Sequence, residues 1–404
     1  MSILDQDFST GNFRALLGEA AQAAPVHIDH ERRRVLILEH DLIRRMLLDR
    51  RLVNGRDRTS FDELPAGTRD LHNTLDRFLS LWPVFSDGPY HQRMRAHLNS
   101  ALSAHRLKEL ISALGPYCEQ ALPRLGERGT AVDWLGEFVR PYIEHTLSLL
   151  FAVDRDRLGR LMSAGSAIIE YITGARFDDE LGRRARLALD VLIEEAGHLT
   201  AGPATGFCRA LAAIAEDPEL GPEPAAAAVA QIITGTLDPT MTVLTEAVVL
   251  PFEAGLAGSP GPSAAPPDTV RRETDEVLRH ACPFRFSSVR HVTADVDLGA
   301  HRLVAGQKVL LGFAAANLDA RTFHGGLTFR PGADSNRHLT FGMGPHRCPG
   351  AGLATAMLDQ LFGAMATTGV TVIPVDGSLV RSRDAIFSRV TALKVRVLRE
   401  TGEK

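Results

Sequence analysis

The sequence predicts a mainly α-helical protein with a smaller β-rich region. Three observations carry that expectation. From Asp87 to about Phe151, and again through the middle of the chain, apolar residues recur every three or four positions, the period of a helix with one buried face. After Pro283 the period drops toward two and turn residues multiply, as in short strands. Strand-like runs also stand near both chain ends. The 404 residues would suffice for two or three domains. Because the strands come from opposite ends, we expect one interwoven unit over 1–404 instead. Its strand-rich parts fall near 26–38 and 284–312, and its helical body over 87–282 and 349–368.

Taken in order, PVHIDHERRRVLILEH reads as two strands, 26–29 and 34–38, around a charged turn. DLIRRMLLDRRLV then reads as a helix with Asp41 as its cap. Helices follow in PYHQRMRAHLNSAL, HRLKELISALGPYCEQALPRL, WLGEFVRPYIEHTLSLLF, LGRLMSAGSAIIEYI and ARLALDVLIEEAGHL. The segment 222–256 is the longest apolar helix candidate and is apolar nearly all round, which places it at the centre of the molecule. SPGPSAAPPD, from Ser259, has the proline and glycine of a surface loop. TVRRETDEVLRHA is a further helix. FSSVRHVTADVDLGAHRLVAGQKVLLGF reads as hairpins turning at 298–300 and 305–307. One long helix follows FGMGPHRCPG, and TVIPVDGSLV and ALKVRVLRE close the chain as strands.

Hydrophobic residues at 45% and charged residues at 23% are ordinary for a soluble globular protein. A net charge of -4 argues against a general nucleic-acid binder. The opening MSILDQDFSTGNF lacks the basic-then-apolar order of a signal peptide, and the longest apolar runs are short and interrupted, so a cytosolic protein is expected. The four cysteines, Cys118, Cys208, Cys282 and Cys348, are scattered and form no CxxC pair. That excludes a disulfide scaffold and a zinc ribbon. A metal held through cysteine here would have one thiolate, which suffices when a macrocycle supplies four equatorial ligands.

The chemistry concentrates in FGMGPHRCPG, 341–350. Cys348 has three readings: core packing, nucleophile or metal ligand. Pro349 suits the first turn of a helix, and Leu353, Met357, Leu361 and Met365 recur every four residues behind it. Cys348 would then sit at the cap, where free N–H groups and the helix dipole favour a thiolate. Gly342, Gly344 and Gly350 let the backbone approach something flat, and His346 could reach an anionic edge. This describes a pocket for a planar cofactor with thiolate-bound iron. A buried cysteine in a glycine-rich loop is the plainer alternative.

The stretch resembles the haem-binding signature of the cytochrome P450 superfamily at Phe341, Gly342, Gly344, His346, Cys348 and Gly350. The length and the order of parts are similar to the soluble bacterial type. The resemblance implies the P450 fold and heme b (iron protoporphyrin IX), with Cys348 as the axial thiolate and metal ligand rather than a nucleophile. Glu276 and Arg279, at i,i+3 on one helix face, would by themselves be a solvated pair. They resemble the ExxR pair, which implies a structural brace before the cysteine loop. His91 and Arg95, otherwise a basic face in water, are similar to the pair that holds a haem propionate. Arg290 resembles the arginine that meets a propionate, and His346 makes four basic groups for two carboxylates; buried anions need such donors. Arg347 is either plain surface or part of the face that meets an electron donor. Before the loop, TFRPGADSNRHLTFG keeps Arg330, Pro331 and Asp334 but lacks the family's later arginine, so a local rearrangement is expected. AANLD resembles the family's ANRD segment with Leu318 in place of arginine.

The sharper departure is TGTLDPTMT in the central helix. Most members carry an acid and then a threonine that deliver protons during oxygen activation. Asp238 fits the acid, Pro239 falls in the threonine slot, and Thr240 comes one later. Proline cannot donate and kinks a helix, and Thr240 points about 100° from the slot unless the kink turns it inward. Altered proton delivery is the expectation, with Asp238 and Thr240 as the catalytic candidates; another register would bring in Thr236 or Thr242. The peroxide-using branch carries arginine before the proline, unlike this chain. The family layout offers Gly235, Phe284, Arg285, Phe286 and Phe387 as substrate contacts in an apolar pocket. The phenylalanines could equally be core, and Arg285 either pairs with a substrate carboxylate or is simply exposed.

The resemblance implies a monooxygenase-type oxidoreductase that hydroxylates an apolar or amphipathic small molecule of a biosynthetic pathway. It would use dioxygen and electrons from a ferredoxin-like or flavodoxin-like partner, as a cytoplasmic monomer bound neither to nucleic acid nor to a membrane. The alternatives are an atypical P450 performing oxidative coupling, rearrangement, nitration or peroxide-driven oxidation, and a non-enzymatic haem-binding sensor or recognition protein.

Overall fold

The computed structural model describes residues 2–9, 13–55, 64–127, 129–173, 178–202, 206–256 and 267–399. Helices dominate, and the strands are short. Of the loop expected over 259–268, residues 259–266 lie outside the described residues, and Pro267 and Asp268 belong to the helix Pro267–Ala281 instead. The chain falls into two units, each gathered from separated stretches: Met1–Leu52, Lys108–Ile143 and Asp238–Lys404 in the first, Val53–Leu107 and Glu144–Leu237 in the second.

In the first unit, Val26–Asp29 pairs antiparallel with Arg34–Ile37, with Val26 opposite Ile37. Arg34–Ile37 runs parallel to Lys308–Leu311, which pairs antiparallel with Arg290–Val292. Val35, Leu36, Ile37, Val309, Leu310 and Leu311 are all buried and join one core with Phe8, Leu17, Ile43 and Phe286. Near-continuous burial is what a parallel pair covered on both faces requires. A second sheet orders Val132–Asp133, Lys394–Arg399 and Val370–Pro374. Two small hairpins pair Val296–Asp297 with Arg302–Leu303 and Val380–Arg381 with Val390–Ala392.

The second unit is helical. Arg155–Thr173 and Ala66–Ser80 pack on Asp179–Ala201, and Gly88–Ala101 and Asp179–Ala201 both pack on Gly206–Glu216. Asp178 caps Asp179–Ala201 by accepting the Glu180 and Leu181 N–H groups at 2.9 and 3.0 Å. Gly165 admits the central helix: a Cβ there would stand 2.5 Å from Ile233 Cγ2. That helix runs unbroken over Pro222–Glu253, and Ala225–Ala230 are at most 1% exposed.

Two sequence expectations need correction. Asp41 does not cap the helix that follows the first strands. The helix is His40–Leu48, and Glu39 at its N-cap makes no side-chain bond. Asp319 Oδ2, distant in sequence, instead accepts the His40 N–H at 3.3 Å, a tertiary cap that local reading could not find. The turn at 305–307 exists, with Gly306 at φ +88. It does not close a hairpin, because Lys308–Leu311 pairs with Arg34–Ile37 and Arg290–Val292 instead of with Arg302–Leu303.

Candidate active site

The cysteine loop is closed by its own backbone. The Gly342 N–H donates to the Leu339 carbonyl and the Cys348 N–H to the Phe341 carbonyl, each at 2.8 Å. Gly342 and Gly344 have φ of +63 and +70. At 344 space is limiting as well, since a Cβ would stand 2.8 Å from Leu48 Cδ2 and 3.3 Å from the Leu47 carbonyl. The helix behind the loop is Ala351–Thr368 with Gly350 as N-cap, so Pro349 and Cys348 precede the cap by one and two residues. The expected placement, cysteine at the cap and proline in the first turn, is therefore shifted. The carbonyl that accepts the first helical bond, from the Ala354 N–H at 2.9 Å, belongs to Gly350. Phe341 is half-buried, its ring centroid 5.7 Å from that of His338.

None of the four cysteines is bridged; Cys118, Cys208 and Cys282 are buried and Cys348 is half-exposed. Burial pushes the Cys118 and Cys282 thiols up to about 12, so both stay protonated and inert at neutral pH. Cys348 alone of the four has the placement of a ligand.

Glu276 and Arg279 form a buried pair in the helix Pro267–Ala281, with Arg279 Nε 2.7 Å from Glu276 Oε2. The guanidinium also donates to the carbonyls of Asn317 at 2.8 Å and Gly326 at 2.6 Å. Glu276 accepts the Arg330 N–H at 2.8 Å and the Ser335 hydroxyl. Burial pushes the Glu276 carboxyl up, but hydrogen bonds from His280 and Arg279, the Arg279 charge and Ser335 outweigh it and hold the group well below the usual carboxylate range. In the stretch that lacks the later arginine, the Ser335 hydroxyl is thus a donor to the carboxylate. Asn317 of AANLD ties this brace to the loop. Its Nδ2 donates to the Arg279 carbonyl at 3.1 Å, and its Oδ1 accepts the Leu339 N–H at 2.6 Å. Leu318 is buried.

The four basic candidates occupy both units. His91 is buried and Arg95 half-buried, one turn apart on Gly88–Ala101 of the second unit. In the first, Arg290 opens the strand Arg290–Val292 at 5% exposure, and His346 is half-exposed in the 3-10 turn Gly344–His346. Arg347 is exposed.

Asp238 Oδ2 lies 3.1 Å from Arg389 Nε. Burial raises the Asp238 carboxyl, against the Arg389 and Arg140 charges that lower it. Pro239 stands inside the continuous helix, and Thr240 is buried. Thr242 is committed elsewhere: its hydroxyl donates to the Ser388 carbonyl at 3.0 Å. Thr236 is half-buried. Gly235 is an exposed position within the helix, with nothing within 4 Å of where a Cβ would stand.

Among the substrate candidates, Phe284 and Phe387 are brought together, ring centroids 4.9 Å apart. Two others are corrected. Phe286, 1% exposed, belongs to the core. Arg285 is neither exposed nor available to a substrate. It is fully buried between the Phe8 and Phe13 rings, at 4.9 and 4.6 Å, and donates to the Asp384 carbonyl and to Ser388 Oγ. Burial pulls its guanidinium down to about 10. Arg389 and Ser335 went unnoticed in the sequence; the only signal for Arg389 was a cation directly after Ile386–Phe387–Ser388.

These residues suit a flat iron macrocycle. The loop offers a single thiol that is not buried, glycines at 342 and 344 where side chains would strain or clash, and a buried ion pair tied to it through Asn317. One sulfur and no second cysteine nearby fit a metal whose other ligands come from the macrocycle itself.

A cytochrome P450 family profile matches residues 273–366, the stretch that holds both the brace and the loop. The chain is 27% identical to cytochrome P450-SU2 of Streptomyces griseolus, over 80% of this chain and 77% of that one. It is 25% identical to the 20-oxo-5-O-mycaminosyltylactone 23-monooxygenase of Streptomyces fradiae, over 74% and 71%. Its fold is similar to that of the bacillaene-synthase cytochrome P450 PksS of Bacillus subtilis, with a TM-score of 0.82 at 18% identity, over 98% and 99% of the two chains.

Proposed function

This chain belongs to the cytochrome P450 superfamily, and from that premise we propose a single haem domain over 1–404 in which Cys348 is the axial ligand of heme b. Membership makes the protein a haem-thiolate oxidoreductase of the monooxygenase type. The reading of its substrate is an apolar or amphipathic small molecule of a biosynthetic pathway, hydroxylated with electrons from a ferredoxin-like or flavodoxin-like donor. The loop 341–350 carries the proposal, with its unburied sulfur and its two left-handed glycines.

A haem held by a cysteine thiolate supplies dioxygen activation and oxygen insertion into a C–H bond. The chain's own residues do the rest. His91, Arg95, Arg290 and His346 would hold the propionates, since buried anions need charged donors. The Glu276–Arg279 brace and Asn317 keep the sulfur in place. Asp238, whose carboxyl burial raises, would be the acid of the central helix, and the Thr240 hydroxyl follows two residues on. Phe284 and Phe387 bind the substrate's apolar body. A cytoplasmic monomer completes the reading; among the described residues no helix is long and apolar enough to cross a membrane.

Pro239 favours a second reading, an atypical P450 that couples or rearranges its substrate, nitrates it or turns over with peroxide. Proline has neither hydroxyl nor N–H to offer in the slot, and Thr242 is bound to Ser388. Small molecules that change the haem spin state should be turned over with a surrogate ferredoxin and reductase, and separately with peroxide. A product heavier by one oxygen under the first condition supports hydroxylation. Coupled or peroxide-only products support the second reading, and no product from any spin-state ligand overturns both.

A further inference from the structure

The Asp238–Arg389 pair stands beside an exposed aromatic face, and that juxtaposition has chemical content. The side chains of Arg389 and Asp238 are 28% and 15% exposed. Arg389 Nε is shielded from solvent and donates no hydrogen bond, because the carboxylate oxygen at 3.1 Å lies off its N–H direction. Among the described residues Asp238 is the carboxylate within ion-pair reach of Arg389. A guanidinium presents five donors in a planar fork that matches a carboxylate edge-on. Here that fork is poorly used.

The fork is also held in place. The Arg389 guanidinium carbon is 5.7 Å from the Phe387 ring centroid, and Phe387 in turn packs on Phe284 with the rings tilted by 43°. Phe387 is 6% exposed, whereas Phe284 is 45% exposed. The backbone under this row is pinned by the Phe284–Phe387 bridge, by the Arg389 N–H donating to Ser382 Oγ at 3.3 Å, and by Thr242 on the Ser388 carbonyl. A rigid cation next to a half-open aromatic surface is preorganised for one kind of ligand.

We propose that Arg389 determines specificity by binding the carboxylate of an aromatic acid whose ring lies on Phe284 and Phe387. This rests on the reading of those two phenylalanines as substrate contacts. The incoming carboxylate displaces Asp238 from Arg389. Asp238 is suited to yield, since burial already favours its neutral form, and a neutral Asp238 can donate a hydrogen bond to the same carboxylate. A role confined to holding Asp238 would give no preference between an acid and its uncharged ester.

The test is equilibrium dialysis of 2-naphthoate and methyl 2-naphthoate against the haem-loaded protein, with the spin-state change read in parallel. The acid should bind at least ten-fold more tightly than the ester. Arg389→Gln should abolish that preference without changing ester binding, and Arg389→Lys should keep part of it. Asp238→Asn, which removes the competing carboxylate, should tighten acid binding several-fold and leave the ester unchanged. Equal binding of acid and ester to the wild-type protein overturns the proposal, as does a preference that survives Arg389→Gln, or a failure of the acid to bind. A reduced carbon-monoxide spectrum of the same samples separates the two claims. A normal thiolate-type spectrum without acid preference sinks only the role of Arg389, whereas an abnormal one sinks the haem-thiolate reading itself.

Discussion

Replacing Arg279 with alanine should loosen the segment that carries the cysteine loop. The side chains of Arg279 and Glu276 are 2% and 0% exposed, so the substitution leaves a buried carboxylate without its counter-charge. Removing one partner of a buried pair costs about 3–5 kcal/mol, against about 0–1 kcal/mol for an exposed pair. The carbonyls of Asn317 and Gly326 lose their donor as well, and each unsatisfied group adds about 1–3 kcal/mol where water cannot enter. The expected loss is therefore at least about 3 kcal/mol. Urea unfolding followed by the fluorescence of the buried Trp82 and Trp134 measures it, with haem retention as a second readout. The pH dependence is signed. Glu276 is held below its ordinary value, so its contribution is complete above about pH 4.3 and is lost as pH falls through the folded value. In the variant that contribution shrinks, and acid unfolding should begin at a higher pH. A loss below about 1 kcal/mol would mean that the pair behaves as a surface pair, and the reasoning from burial would be refuted.

Gly344→Ala should weaken haem retention, because it adds about 1–2 kcal/mol of left-handed strain to a 2.8 Å clash with Leu48; retention equal to wild type would show that the loop relaxes. Pro239→Thr should raise product formed per reductant consumed several-fold if the proline limits proton delivery, and an unchanged ratio would show that Asp238, Thr240 or water already suffices. Burial raises the Asp238 carboxyl, so the folded protein binds the proton more tightly and this group's contribution to stability falls as pH rises through the window just above the ordinary aspartate range. Asp238→Asn should flatten that slope in unfolding curves taken across the window; an unaltered slope contradicts the assignment. Arg285→Met should cost about 1–3 kcal/mol of stability through lost hydrogen bonds, measured by urea midpoint, with no preferential loss of substrate binding.

Local signals were readable. The helix Arg155–Thr173 follows from periodicity, because its buried positions recur every three or four residues, and Pro222–Glu253 follows from a long apolar run. The cysteine loop was readable because glycine and proline have few uses besides backbone geometry. Tertiary pairings were not. Nothing near His40 announces that Asp319 caps its helix, and nothing in a hairpin-like run reveals that Lys308–Leu311 will prefer Arg34–Ile37. Arg285 shows the limit most plainly: an arginine among phenylalanines looks like a ligand contact until Phe8 and Phe13, from the other end of the chain, close around it. Arg389 was invisible for the same reason, since its meaning depends on the position of Asp238.

The central claim is that Cys348 supplies the axial thiolate. Its most direct test is the absorption spectrum of the reduced, carbon-monoxide-treated protein beside that of Cys348→Ser. The wild-type protein should show the thiolate-type Soret shift, and the serine variant should lose it while any retained haem still absorbs. A wild-type protein that holds its haem without that shift, or a serine variant that keeps it, would contradict the account.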